Sequence, residues 1–136
     1  MERLSVAATY VDVDAAAQQL RALAASRLSG EALDGFEIAV IEALTNIVRH
    51  GYRESPGHTI DVRADVTGKD VVLELRDTGI AIPEGVFVAP HAQADTIGDI
   101  DAEHGRGIAL VVQCAKSVYY RSEHNINVLT MTFSGG

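Results

Sequence analysis

Several residue types that would point to common classes of function are scarce in this sequence. Its 136 residues include no tryptophan and a single cysteine, Cys114. One cysteine cannot form an intrachain disulfide or supply the several sulfur ligands of a zinc cluster. No apolar run approaches the ~20 residues that a membrane-spanning helix needs, and the N-terminus has neither the basic start nor the apolar core of a signal peptide. We therefore expect a cytoplasmic protein with no membrane partner.

Basic residues are also in the minority. The chain carries 11 Lys and Arg against 19 Asp and Glu, which gives a formal net charge of -8. Phosphate-backbone electrostatics oppose the binding of nucleic acid to such an acidic protein, so we expect no nucleic-acid partner. A chain of this length can bury roughly two thirds of its unfolded surface, and we interpret residues 1–136 as a single domain.

Strand and helix periodicities alternate along the first half of the chain. A short strand is expected within residues 4–10, and Asp14 is the expected cap of the first helix. Ser29 is expected to cap a second helix that ends at Gly51.

The second half of the chain predicts two hairpins and a third helix. "TIDVRADV" and "VVLELRD" alternate apolar and polar residues on either side of a turn at residues 67–70, which is typical of a hairpin. A helix from Gly107 to Lys116 precedes two strands, over residues 117–122 and 126–133. The order predicts a two-layer α/β sandwich, in which helices cover one face of a mixed, largely antiparallel sheet.

The stretch "EIAVIEALTNIVRHGY", residues 37–52, places polar side chains at helical spacing. At about 100° per residue, Glu42, Asn46 and Arg49 fall together, opposite the apolar stripe that should pack on the sheet. That stripe is Leu33, Phe36, Val40, Leu44 and Ile47. A solvated polar face is one interpretation, but the neighbouring Ile38 favours a cleft. In a cleft, asparagine can ligate a hard cation and glutamate can act as a base.

Two further motifs contain glycine. In "LELRDTGIAIP", Asp77 ends a strand and Gly79 follows, which by itself is typical of a plain turn. In "EHGRGIALVV", Gly105 and Gly107 open a predicted helix, where backbone N–H groups can approach phosphate oxygens and Arg106 adds a charge. The segment from Asp77 to His104 contains two of the three prolines and is long for a loop, so we expect it to be functional.

These three motifs, in this order, resemble those of the GHKL ATP-binding superfamily over about residues 5–133. "EALTNIVRHGY", here called the N-box, is most similar to that of the bacterial anti-sigma-factor serine kinases of partner-switching systems. The resemblance implies a site for ATP and Mg²⁺, in which Asn46 ligates the magnesium and Glu42 is the general base. It also implies that Asp77 accepts a hydrogen bond from the adenine amino group and that Gly79 lets the base approach.

The resemblance extends to the phosphate end of the site. It implies a phosphate-binding glycine box of Gly105, Arg106 and Gly107, a mobile lid over residues 84–104, and a position near the adenine for Thr130. Arg49 and His50 can steady phosphates from the N-box helix. For His50, capping of the helix C-terminus is an equally good interpretation.

The remaining expectation concerns the phosphoacceptor. A sensor histidine kinase needs a dimerisation helix pair that carries its own acceptor histidine, and the residues ahead of the N-box helix supply none. The resemblance therefore implies transfer in trans to a serine or threonine of a STAS-type anti-anti-sigma protein, with a sigma factor or another regulator as second partner. It also implies a homodimer formed through the first strand and helix. Two alternatives stay open: an excised catalytic domain of a histidine kinase, and an ATP-binding interaction module without kinase activity.

Overall fold

The computed structural model describes residues 1–83 and 102–135, with residues 102–106 described through their backbone alone. Most of the predicted lid, residues 84–101, lies outside the described part of the chain.

Five strands and three helices are formed within these residues. They are β1 (Glu2–Ala7), α1 (Tyr10–Ala24), α2 (Gly30–Asn46), β2 (Thr59–Thr67), β3 (Asp70–Asp77), α3 (Ala102–Cys114), β4 (Ser117–Glu123) and β5 (Ile126–Ser134). A π-helical turn, Ile47–Gly51, continues α2. In the part of the chain described, no helix combines the length and the apolar character that a membrane span requires.

The strands form one sheet in the order β1-β2-β3-β5-β4, and every neighbouring pair recorded is antiparallel. Both predicted hairpins are present. Gly68 has a φ of 61° in the first, and His124 and Asn125 have φ of 53° and 64° in the second. Two-residue hairpin loops require such left-handed conformations because these match the twist of the strands. The predicted α/β architecture is thus confirmed.

The hydrophobic core lies between the helices and one face of the sheet. Phe36, Val40 and Leu44 of α2 are fully buried, and Ile47 is 5% exposed, which confirms the predicted stripe apart from the partly buried Leu33. The Phe36 ring meets Phe133 of β5 edge to face, with centroids 4.9 Å apart. This packing fixes α2 across the sheet and thereby sets the direction in which its polar side faces.

The start of α1 differs from the prediction. The first strand ends at Ala7, and the helix cap is Thr9, whose Oγ1 accepts a hydrogen bond from the Asp12 N–H at 3.1 Å. Asp14 is an exposed residue inside α1. Thr9 has the extended backbone that a helix cap requires, and its side chain accepts the N–H three residues later. It therefore plays, earlier in the chain, the capping role that was predicted for Asp14.

The start of α3 also differs, since it lies at Ala102 and not at Gly107. Each helical glycine costs about 1 kcal/mol relative to alanine, which is why the sequence favoured a later start. Burial of Ile108 and Val111, 1% and 0% exposed, anchors the helix on the core and outweighs that cost. The helix ends at Cys114, two residues before the predicted end.

Candidate functional site

The last turn of the N-box helix widens into a π turn that brings Gly51 against the end of β3. The Tyr52 N–H donates to the Ile47 carbonyl at 2.8 Å, and the Ile80 N–H donates to the Gly51 carbonyl at 2.7 Å. A Cβ on Gly79 would stand 2.5 Å from that same Gly51 oxygen. Gly79 is therefore required by a close backbone contact, in addition to any role toward a ligand. Such π turns occur often at functional sites.

Tyr52, the last residue of the N-box, also holds the end of β3 in place through hydrogen bonds. Its hydroxyl donates to the Thr59 carbonyl and accepts from the Thr78 N–H, both at 2.9 Å. Its ring stacks on His58 with centroids 4.3 Å apart. The side chain is 7% exposed. It thus holds the start of β2 and the end of β3 together, which fixes the residues that follow Asp77.

Asp77 is a buried carboxylate with a defined hydrogen-bond environment. It is 8% exposed, and its Oδ1 accepts from the Gly79 N–H and from the Asn127 side-chain amide, both at 2.9 Å. Burial raises the pKa of Asp77, and the hydrogen bonds from Asn127 and Gly79 partly offset that rise. Among the described residues no group donates to Oδ2. This oxygen can accept a hydrogen bond from a ligand.

Asn127 was not predicted from the sequence, and the resemblance implied Thr130 on the same strand instead. The Asn127 amide also donates to the Gly79 carbonyl at 2.9 Å, and its oxygen accepts from the Ser122 hydroxyl at 2.6 Å. Thr130 pairs with Glu74, on the sheet face away from the helices, so the structure does not bring it to Asp77. Strand alternation contained the signal, because it puts Asn127 on the same face as the buried Leu129.

Asp77 and Asn46 line one cavity between α2, α3 and the sheet. Its other walls are Ala43, Ile47, His50, Gly51, Ile80, Ile82, Ile108, Tyr120 and Leu129. The cavity leaves about 10 Å³ of space, enough for at most one water. The Ile82 N–H donates to the Tyr120 hydroxyl at 2.8 Å, which holds one wall in place. A ligand the size of a nucleobase therefore needs this wall to move.

Asn46 is the residue for which the resemblance implies a role as magnesium ligand. It is 7% exposed, and within the described residues its side-chain amide makes no hydrogen bond. The amide therefore keeps its hydrogen-bonding capacity for water or a ligand at the cavity, and its neutral oxygen suits a hard cation. No cluster of three His, Cys, Asp or Glu able to hold a metal exists in the described residues. Asn46 therefore fits a magnesium held mainly by phosphates and water, as is usual for this ion.

Glu42 lies one helical turn before Asn46, where α2 meets α3. A Cβ on Gly107 would stand 3.2 Å from the Glu42 Oε2, so the missing side chain of Gly107 leaves room for the carboxylate. The structure thus brings together the predicted base and one residue of the predicted glycine box. Glu42 is partly exposed, so a second molecule can reach it.

The rest of the glycine box has a different setting from the one predicted. Because α3 begins at Ala102, Gly105, Arg106 and Gly107 lie inside its first two turns. The N–H groups left free at a helix start are the first four, and these precede Gly105. The expected phosphate-binding amides at Gly105 to Gly107 are thus engaged within the helix in this conformation.

Arg49 and His50 belong to the π turn. His50 lines the cavity that contains Asn46 and Asp77. Both residues also line a neighbouring pocket of about 230 Å³, together with Arg53, Ile80, Ala81 and Pro83. His50 is thus shared by the two pockets, and Arg49 faces the outer one.

Comparison with known proteins adds one finding to this geometry. A family model described as the histidine kinase-like ATPase domain matches residues 6–133. That range includes the N-box, Asp77, the glycine box and all of β5 except its last residue. No curated protein matches the chain.

Proposed function

We propose that this chain, which belongs to the histidine kinase-like ATPase domain family of the GHKL superfamily, is an ATP-dependent serine/threonine protein kinase and anti-sigma factor. Membership of the family makes it an ATP-binding domain. The choice of kinase type is supported by the similarity of the N-box to that of anti-sigma-factor serine kinases. The observation that carries it is Glu42, a carboxylate beside Gly107 and one turn from Asn46.

ATP is proposed to bind with its adenine in the cavity above Asp77. The Asp77 Oδ2, without a partner in the described residues, accepts a hydrogen bond from the adenine amino group. Apolar walls such as Ile108 and Leu129 provide the stacking surface that nucleotide pockets use. Entry of the base displaces the Ile80–Ile82 wall.

The phosphates are proposed to run from this cavity past Asn46 toward Glu42. Asn46 would hold a magnesium ion together with the phosphates, and the ion would supply neutralisation of the charge that phosphoryl transfer develops. Arg49 and His50 steady the phosphates from the π turn. Glu42 accepts the proton of the partner's hydroxyl while that oxygen bonds to the γ-phosphorus, and ADP leaves. A base of this kind contributes ~10²- to 10⁴-fold in rate.

The acceptor hydroxyl is proposed to belong to a serine or threonine of a STAS-type anti-anti-sigma protein. A sigma factor or another regulator is the second partner, and the kinase acts as a homodimer. These partners come from the resemblance of the N-box, and the partial exposure of Glu42 supports an acceptor that arrives from outside the chain.

The test is transfer from radiolabelled ATP to purified STAS-domain proteins of the same genome. Glu42→Gln keeps size and polarity but removes the proton acceptor, so transfer should fall by about 10²-fold or more while ATP affinity, measured by titration, stays nearly constant. Glu37→Gln is the matched control. It changes the same residue type on the α1 side of α2, where Glu37 pairs with Arg21, and transfer should persist.

Each alternative has its own outcome. Undiminished transfer by a folded Glu42→Gln protein would remove the base assignment. ATP binding without transfer to any STAS protein would favour the interaction module. Acid-labile phosphate on a histidine of a helical partner would favour the catalytic domain of a histidine kinase.

A further inference from the structure

Helices α2 and α3 run antiparallel along a seam that ends at Glu42. Two glycines define their register. A Cβ on Gly35 would lie 3.6 Å from the Cys114 Cβ, and one on Gly107 would lie 3.2 Å from the Glu42 Oε2. The seam thus spans two turns of each helix, with Glu42 and Gly107 at one end.

Two exposed aliphatic side chains lie on the solvent side of this seam. Ile38 is 45% exposed and Leu110 is 38% exposed. Ile38 lies three residues after Gly35, and Leu110 lies three residues after Gly107, so the antiparallel register puts them beside each other. Single exposed apolar residues are common, whereas two beside each other form a small contiguous apolar surface that a partner can cover. We call these two residues the seam patch.

The seam patch lies next to the proposed base. Ile38 precedes Glu42 by four residues and Leu110 follows Gly107 by three, which is one helical turn, about 5.4 Å, in each case. A protein that covers the patch therefore also covers the Glu42 carboxylate. An acceptor hydroxyl and an aliphatic side chain on neighbouring residues of such a protein can reach both at once.

The surface of α2 that precedes the patch, toward the N-terminus of this helix, is acidic. Helix α2 contains four carboxylates and no lysine or arginine. Glu31 in its first turn is exposed, and the Asp34 side chain is 68% exposed, although it also pairs with Arg21. With the chain at a net charge of -8, this surface disfavours an acidic partner and attracts a basic one.

We propose that the seam patch is the docking surface for the phosphoacceptor protein. The partner covers Ile38 and Leu110 with an aliphatic side chain next to its acceptor hydroxyl. It also presents Lys or Arg toward Glu31 and Asp34. This inference rests on the kinase function proposed above and specifies where the protein substrate binds.

The test compares Ile38→Gln and Leu110→Gln in steady-state phosphotransfer to the STAS-domain protein that the unmutated kinase phosphorylates best. Loss of an apolar anchor should raise KM for the protein substrate at least about tenfold. The kcat at saturating substrate should stay within about twofold, because the groups that touch the reacting atoms are unchanged. Ile126→Gln is the matched control, since Ile126 is 42% exposed but lies on β5, and its KM should not change.

Binding without chemistry separates this proposal from the kinase function. The same substitutions are made in the Glu42→Gln background, and affinity for the STAS protein is titrated with Mg-ATP present. Weakened binding supports the surface even if no phosphate is ever transferred. An unchanged KM and an unchanged affinity overturn the surface while the kinase function stands. A change in the kinase's own mass by sedimentation, in place of a change in affinity, would reassign the patch to contacts between copies of this chain.

Discussion

The two ends of the site differ in how completely the protein satisfies its own polar groups. At the Asp77 end, Asp77, Gly79 and Asn127 are joined to one another by hydrogen bonds of 2.9 Å, and the Ile80 N–H donates to the Gly51 carbonyl at 2.7 Å. At the other end, Glu42 and Asn46 make no side-chain hydrogen bond or ion pair within the described residues. The Asp77 end is thus part of the fold's hydrogen-bonded frame, and the Glu42 end keeps its polar atoms available to ligands.

This difference predicts where substitutions will act. A change at the Asp77 end should lower the stability of the protein without ligand, because it breaks contacts that exist before binding. A change at Asn46 should leave that stability nearly unaltered and remove the response to Mg-ATP.

The largest effect on stability is expected for Gly79→Ala. The new Cβ would stand 2.5 Å from the Gly51 carbonyl oxygen, a backbone atom that already accepts the Ile80 N–H at 2.7 Å and cannot give way cheaply. We expect a loss of about 3 kcal/mol in the free energy of unfolding, the upper end for overpacking. Chemical denaturation of the protein without nucleotide measures it.

Gly35→Ala is the matched control. Its Cβ would lie at ordinary contact distance, 3.6 Å from the Cys114 Cβ. Alanine also favours the helix by up to about 1 kcal/mol, so this variant should be as stable as the unmutated protein or more so. Equal stability of the Gly79→Ala and Gly35→Ala proteins would show that the backbone at Gly51 can move away from the added methyl group without a loss of stability.

The next effect in size concerns Asn46→Ala. ATP that binds only the native state raises the free energy of unfolding by about 2.7 kcal/mol at a hundredfold excess over Kd, and the variant should lose most of this gain. Without ligand it should be no less stable, because the Asn46 amide has no partner in the described residues to lose and alanine is the better helix former.

Thr45→Ala, one residue earlier on α2, controls for the loss of a polar side chain and should keep the response to Mg-ATP. Thermal denaturation with and without Mg-ATP measures this response for the unmutated protein, Asn46→Ala and Thr45→Ala. If the unmutated protein shows no shift, the site itself is in doubt. A full shift in Asn46→Ala would mean that the metal and the nucleotide are held elsewhere.

The sequence predicted the parts of the site that periodicity controls. The 3.6-residue repeat put Glu42 and Asn46 on the side of α2 away from the core stripe, and alternation predicted both hairpins. These features are local, since each depends on residues within a few positions. Short-range patterns are therefore enough to find them.

The features that were not predicted depend on contacts between distant segments. The π turn at Gly51 follows from packing against Gly79, 28 positions later in the chain. The early start of α3 reflects burial of Ile108 and Val111, which outweighs the low helix propensity of glycine. For Asn127 the alternation was available, but its partner Asp77 lies 50 residues away. The π turn, the start of α3 and the role of Asn127 therefore depend on tertiary contacts, which local sequence patterns do not reveal.

The smallest expected effect is a pH dependence at the Asp77 end. Folding raises the pKa of Asp77 above its ordinary value of 3.8, chiefly through burial. As the pH rises above 3.8, the unfolded chain therefore releases this proton before the native protein does. Native protein then binds more protons than the unfolded chain, so the free energy of unfolding falls as the pH rises through this window. The contribution remains lost above the folded pKa.

Asp77→Asn should remove this component while it keeps an oxygen for the Asn127 and Gly79 donors. The difference in unfolding free energy, variant minus unmutated protein, should thus increase with pH from below 3.8 and level off toward neutrality. Asn127→Ala should act in the opposite direction, because it removes the strongest of the bonds that hold the pKa of Asp77 down and makes the fall in stability steeper. Chemical denaturation at a series of pH values measures both slopes. Parallel curves for all three proteins would show that burial leaves the proton affinity of Asp77 unchanged, and the contrast between the two ends of the site would then rest on hydrogen bonding alone.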